Sequence, residues 1–150
     1  MDKPTHLIEF ETMLLTRHTH MSARSRGDEG HLDRTSYVLL SRISVEGPMS
    51  IRQLSEAFGL DASTLNRKTA SLLAVGLLER IADSEGGIAR KFRITREGQS
   101  RLTAERDEMV SGLDKVLADW TPAEVTAFAA MLQRFNTSIE DLAGLPWPRP

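Results

Sequence analysis

The chain has 150 residues, 40% of them hydrophobic and 27% charged, which is long enough for one domain with a core of its own. It contains no cysteine, which excludes a disulfide framework, a thiolate nucleophile, a cysteine zinc site and a thiol redox switch. The formal net charge is −2, yet eight Lys/Arg stand against five acids between Ser50 and Arg96, so a basic centre lies within an acidic body, as suits a protein that turns one face to phosphates.

The start, Met1-Asp2-Lys3-Pro4-Thr5-His6, lacks the basic and apolar regions of a signal peptide, so a cytoplasmic location is expected. No apolar run approaches the roughly 20 residues of a membrane crossing. Leu7, Phe10, Leu14 and Met21 recur near helical spacing and predict a first helix over about 5–23. The polar stretch from Ser22 to Gly30 reads as a connecting loop. A second helix is expected from about Asp33 to Val45, with Tyr37, Leu40 and Ile43 on one side, ended by Gly47-Pro48.

Ser50-Ile51-Arg52-Gln53 matches a capping box and opens a short helix whose apolar residues are Ile51, Leu54 and Phe58. Gly59 supplies the turn, and Asp61 caps a helix running to Val75 with Leu65, Leu72 and Leu73 inward. Helix, glycine turn and longer helix make a helix-turn-helix. Leu77 to Ala82 reads as a strand, Asp83 to Gly87 as a turn and Arg90 to Thr95 as a second strand, and this hairpin forms a wing.

Beyond the wing the helical period returns through Leu102, Met109, Leu113, Val116, Leu117 and Trp120. Thr121-Pro122-Ala123-Glu124 then combines a cap, a proline at the first helical position and a returning Glu. Val125, Phe128, Ala129, Leu132, Phe135, Ile139 and Leu142 come next as a stripe too wide for one small domain to hide, which implies packing against a second subunit. Residues 144–150 hold three prolines and are expected to form an extended tail. The fold class is mainly α with a small β-wing: one domain, with a winged helix-turn-helix over about 33–96 and dimerisation helices over about 5–23 and 97–143.

This element order, over residues 5–143, resembles the MarR family of regulators. Asp61-Ala62-Ser63-Thr64-Leu65-Asn66-Arg67 resembles the start of the family's recognition helix, and Leu72 to Arg80 its leucine-rich helix end and following strand. Asp83 with Ile94-Thr95 resembles the segment bracketing the wing. The resemblance implies a homodimer whose recognition helices enter successive major grooves of a near-palindromic double-stranded DNA site, with binding relieved by a small, often aromatic, effector. At the wing tip Gly86, Gly87 and Ile88 stand where the family offers an acid followed by arginine, so Arg90 and Lys91 are left as phosphate contacts.

Ser63, Thr64, Asn66, Arg67 and Lys68 fall in the first two turns of the recognition helix, where side chains reach base edges. Ser50, at the capped start of the preceding helix, joins them as a DNA-binding residue. Arg80 is expected to pair with Asp83 across the wing base. His18, Tyr37 and Met109 are candidates for the effector site, by the place the family's ligands occupy. The four histidines lie in positions that do not converge, so no metal site is expected, and no cofactor is called for. No nucleophile set, phosphate loop or paired acids argue for an enzyme. The alternative to a DNA-binding regulator is a winged-helix module that dimerises and docks a protein partner without DNA.

Overall fold

The computed structural model describes residues 2–25, 31–82 and 90–150, with side chains of 20–25 left aside. Two units are distinguished, residues 1–31 and 32–150. The first contains α1 (Thr5–Ser25), on which Leu7, Ile8, Phe10, Met13 and Leu15 are exposed and Leu14 half-buried. This helix takes in Ser22 to Ser25, where the polar composition predicts a loop. Ala23 and Arg24 are good helix formers, and polarity alone is a weak sign of a loop.

The second unit runs α2 (Arg34–Glu46), α3 (Ile51–Phe58), α4 (Ala62–Ala74), β1 (Leu78–Ala82), β2 (Arg90–Ile94), α5 (Arg96–Val116) and α6 (Pro122–Ala143). Every helix of this unit starts on a side-chain cap: Asp33, Ser50, Asp61, Thr95 and Thr121 each accept a backbone N–H of the first turn. Ser50 with Gln53 and Thr121 with Glu124 form complete capping boxes. Such caps satisfy N–H groups that have no partner within the helix.

The strands β1 and β2 pair antiparallel, with Leu78 opposite Ile94 and Arg80 opposite Phe92. Met49 adds a bridge on the other side of β2: its N–H donates to the Phe92 carbonyl at 3.1 Å and its carbonyl accepts the Phe92 N–H at 2.7 Å. The segment leading into α3 is thereby tied to the wing. Leu39, Leu40, Ile43, Met49, Leu54, Leu65, Leu72, Leu77, Leu78, Phe92 and Leu102 form one buried cluster drawn from α2 to α5. Burial of a leucine or phenylalanine contributes roughly 1.5–3 kcal/mol, so this cluster fixes the winged-helix body.

Two glycines are set by close approach. Gly98, in the first turn of α5, sits against the chain at Leu77, where an added Cβ would lie 2.2 Å from the Leu77 carbonyl oxygen. Gly59 holds the left-handed φ of 64° that the α3–α4 turn requires and has the Leu145 side chain over it.

Residues 145–150 have no regular structure but do not stand free as an extended tail. The Trp147 ring meets Phe58 edge-on at 5.3 Å, the Arg42 guanidinium lies 4.6 Å from the Trp147 ring centre, and Arg149 pairs with Glu140 at 2.6 Å. Prolines forbid a helix here but leave the chain free to pack. The expected turn from Asp83 to Gly87 and the wing-tip residues Gly86, Gly87 and Ile88 lie outside the described residues, as does the partner expected for Arg80. Arg80 itself sits over the Phe92 ring at 5.8 Å.

Candidate nucleic-acid interface

The helix α4 has two unlike sides. Leu65, Thr69 and Leu72 are buried, with the Thr69 hydroxyl donating to the Leu65 carbonyl at 2.8 Å, so a polar residue sits in the core without an unmet bond. On the opposite side Ser63, Asn66 and Arg67 are exposed, followed by Ala70. Positions 63, 66, 67 and 70 share one stripe by helical spacing. The structure thus brings together three of the five residues singled out on this helix.

The N-terminus of α4 is organised by the Asp61 carboxylate. Its Oδ1 accepts the Thr64 N–H at 2.7 Å and the Ser63 hydroxyl at 2.9 Å. Hydrogen bonds from Thr64, then from Ser63, hold the Asp61 carboxyl down at about 2, and the Arg67 charge adds to the effect. With its proton committed to Asp61, the Ser63 hydroxyl faces outward as an acceptor. Thr64 is half-buried.

Lys68 lies apart from this stripe. Its ammonium donates to Asp33 Oδ2 at 2.9 Å, at the cap of α2, and its side chain is only 28% exposed. Burial opposes ionisation of Asp33, but the Lys68 ammonium and the Ser36 N–H outweigh it and keep the carboxyl below its ordinary value. This pairing joins residues 35 apart in the chain and leaves no trace in local spacing.

Ser50 is half-buried; its hydroxyl oxygen accepts the Gln53 N–H at 3.2 Å, and its own N–H donates to Gln53 Oε1 at 2.9 Å. On the wing, Arg90 is exposed and Lys91 half-buried, while the neighbouring Arg93 is engaged across the strands by Glu79 at 2.6 Å. His18 is exposed on α1, in the first unit. In the second, Tyr37 is half-buried against the core cluster and Met109 half-buried on α5.

Sequence reasoning missed Arg42, which is 8% exposed in α2. A buried cation must be paired, and Arg42 donates to Glu46 at 2.6 Å and to the Pro146 carbonyl at 3.3 Å while its guanidinium faces Trp147. A lone arginine in an amphipathic helix carries no signal of burial.

On α6 no residue is buried. Phe128, Met131, Leu132, Phe135, Ile139 and Leu142 are exposed, as are Val110, Leu113 and Val116 on α5. Monomeric soluble proteins rarely show contiguous apolar surface on this scale. No helix among the described residues is long and apolar enough to cross a membrane.

Residues 32–86 match the MarR family model, the span that holds α2, α3, α4 and β1. The chain is 34% identical over 138 residues to the uncharacterized HTH-type transcriptional regulator YxaD of Bacillus subtilis (strain 168), covering 92% of this chain and 96% of that one. A crystal structure of MarR superposes with a TM-score of 0.75 at 24% identity, over 96% of this chain and 97% of its own. The PcaV transcriptional regulator from Streptomyces coelicolor, solved in complex with its natural ligand, superposes with a TM-score of 0.65 at 23% identity, over 91% and 94%. With a helix-turn-helix whose second helix is capped, a wing hairpin and a relative matched nearly end to end, this chain belongs to the MarR family of transcriptional regulators.

Proposed function

We propose that this regulator is a homodimeric repressor that reads a near-palindromic duplex with α4 and is released by a small, often aromatic, effector. The observation that carries the reading is the outward stripe of α4: Ser63, Asn66 and Arg67 stand exposed on a helix whose other side is locked into the core. An arginine can pair with both guanine acceptors of the major groove and an asparagine with adenine. Thr64 is assigned to the same groove from the first turn. Ser50, at the start of α3, and Arg90 and Lys91, on β2, are assigned to phosphates, which helix N-termini and cations both favour. Lys68 can join them only by leaving Asp33.

The apolar faces of α5 and α6 supply the contact with a second copy, which would space two recognition helices by about one turn of the duplex, 34–36 Å. An effector that favours a different spacing weakens both half-sites at once, through its differential affinity for two arrangements. Ligand control is supported by PcaV, solved with its natural ligand. Tyr37 and Met109, in the second unit, are assigned as effector contacts, and His18, in the first, is a separate candidate.

A salt titration tests the proposal. A protein that neutralises several phosphates loses affinity steeply as salt rises, by about 10³–10⁵ between 50 and 200 mM for six to ten contacts. A flat response would instead favour a winged-helix module that docks a protein partner.

A further inference from the structure

We infer that residues Leu145 to Arg149 are a strap that fastens the turn of the helix-turn-helix to the end of α6, so that a displacement of α6 is transmitted to the recognition helix. The inference deepens the function proposed above and rests on it for the role of α4. Three sets of contacts define the strap. At its root α6 ends on Gly144 in the left-handed conformation, and the Leu145 N–H returns to the Glu140 carbonyl at 3.1 Å, which turns the chain back along the helix. Glu140 then clamps Trp147 and Arg149: its Oε2 accepts the Trp147 N–H at 3.2 Å, and the Arg149 guanidinium bonds both carboxylate oxygens, at 3.1 and 2.6 Å. Arg149 is the first cause of the lowered pKa of Glu140, so the clamp is an ionised one.

The far side of the strap holds the DNA-reading body. The Trp147 ring stands between Arg42 of α2, at 4.6 Å, and Phe58, the last residue of α3, at 5.3 Å and 84°. Arg42 also donates to the Pro146 carbonyl, which leaves this buried cation dependent on the strap for part of its partnering. Leu145 covers Gly59, where a Cβ would meet its Cδ1 at 3.0 Å. Phe58 closes α3, and Gly59 opens the link to α4. The tail therefore touches the one short turn that sets the direction of the recognition helix, and it is carried by α6, a helix that buries none of its residues and exposes an apolar stripe.

Hydrogen exchange on the full-length chain without DNA tests the strap. Trp147→Ala is expected to speed exchange of the amides of residues 54–60 about tenfold, the loss of one aromatic pair and one cation–π contact. The amides of β1 and β2 serve as the internal reference and stay within about twofold. Trp147→Phe, which keeps a ring against Phe58, should lie nearer the wild type. Unchanged exchange at 54–60, or equal acceleration in both strands, overturns the strap. Transmission is read by duplex affinity: Trp147→Ala should weaken it about fivefold to tenfold with the salt slope unaltered, since no phosphate contact is removed. Unchanged affinity beside faster exchange overturns the transmission. A wild type that binds no duplex counts against the function proposed above and is seen before any variant is made, whereas the exchange result stands on its own.

Discussion

Substitution of Gly98 by alanine offers a quantitative test of how the wing is joined to α5. The added methyl would lie 2.2 Å from the Leu77 carbonyl oxygen, 3.1 Å from its carbon and 2.9 Å from Ile94 Cγ1, where ordinary contact begins at 3.4 Å. Neither neighbour yields easily. The Leu77 carbonyl accepts the Thr95 N–H at 3.1 Å, and Thr95 in turn donates its hydroxyl to the Gly76 carbonyl at 2.7 Å and caps Gly98 at 2.9 Å. Relief needs a shift of about 1 Å that strains this junction. Overpacking costs roughly 1–3 kcal/mol and a lost hydrogen bond about 1 kcal/mol, while the helix gain of alanine over glycine returns about 0.5–1 kcal/mol. The net is a loss of about 1–3.5 kcal/mol, or a fall in Tm of about 2–14 °C for a chain of this size. Thermal melts followed by circular dichroism, at one fixed protein concentration, read this directly, with exposed Ser100→Ala as a control expected within about 0.5 kcal/mol of wild type. A Gly98→Ala protein that melts with the wild type would refute the close-approach argument.

Other perturbations test the same geometry. Because the Asp61 carboxyl is held at about 2 in the fold, against an ordinary value of 3.8, its contribution to stability is complete above about pH 4 and is lost as the pH falls toward 2; Asp61→Ala should flatten acid unfolding in that window, and an NMR titration should place the midpoint near 2. Lys68→Met should lower stability through the loss of the Asp33 partner yet leave the preferred bases unchanged, as a selection on random duplexes would report. Phe135→Asp, on the exposed stripe of α6, should shift the mass measured by light scattering from dimer toward monomer at micromolar concentration and leave the helical signal of the isolated chain intact. A dimer unchanged by this substitution would remove α6 from the interface.

Much of the framework was legible because caps and turns are local chemistry. The Ser50–Gln53 and Thr121–Glu124 boxes, Asp61 before α4 and Gly59 after α3 each mark a boundary within four residues of sequence. The stripe of α6 was equally plain, since a helix that buries nothing in its own chain still keeps its apolar period. The features that escaped depend on contacts distant in sequence. Met49 pairs with Phe92 through one bridge, too short to leave a strand pattern. Lys68 and Asp33 meet across 35 residues, and Arg42 meets Pro146 across 104. Arginine in a helix and proline in a terminus both read as solvent-facing, so the docking of the tail was hidden twice over. Within the candidate interface, spacing placed Ser63, Asn66 and Arg67 in the first two turns of α4, where all three are exposed, but the diversion of Lys68 to the cap of α2 had no local sign.

The central claim is that the outward face of α4 reads bases in two half-sites. Selecting bound duplexes from a random pool with the wild type and with Arg67→Ala measures it most directly. The wild type should enrich two symmetry-related half-sites whose centres lie about 10–10.5 base pairs apart, and Arg67→Ala should lose the preference for guanine at one position in each half, at about 1–3 kcal/mol. The same preferred bases and the same affinity in both proteins would contradict the account.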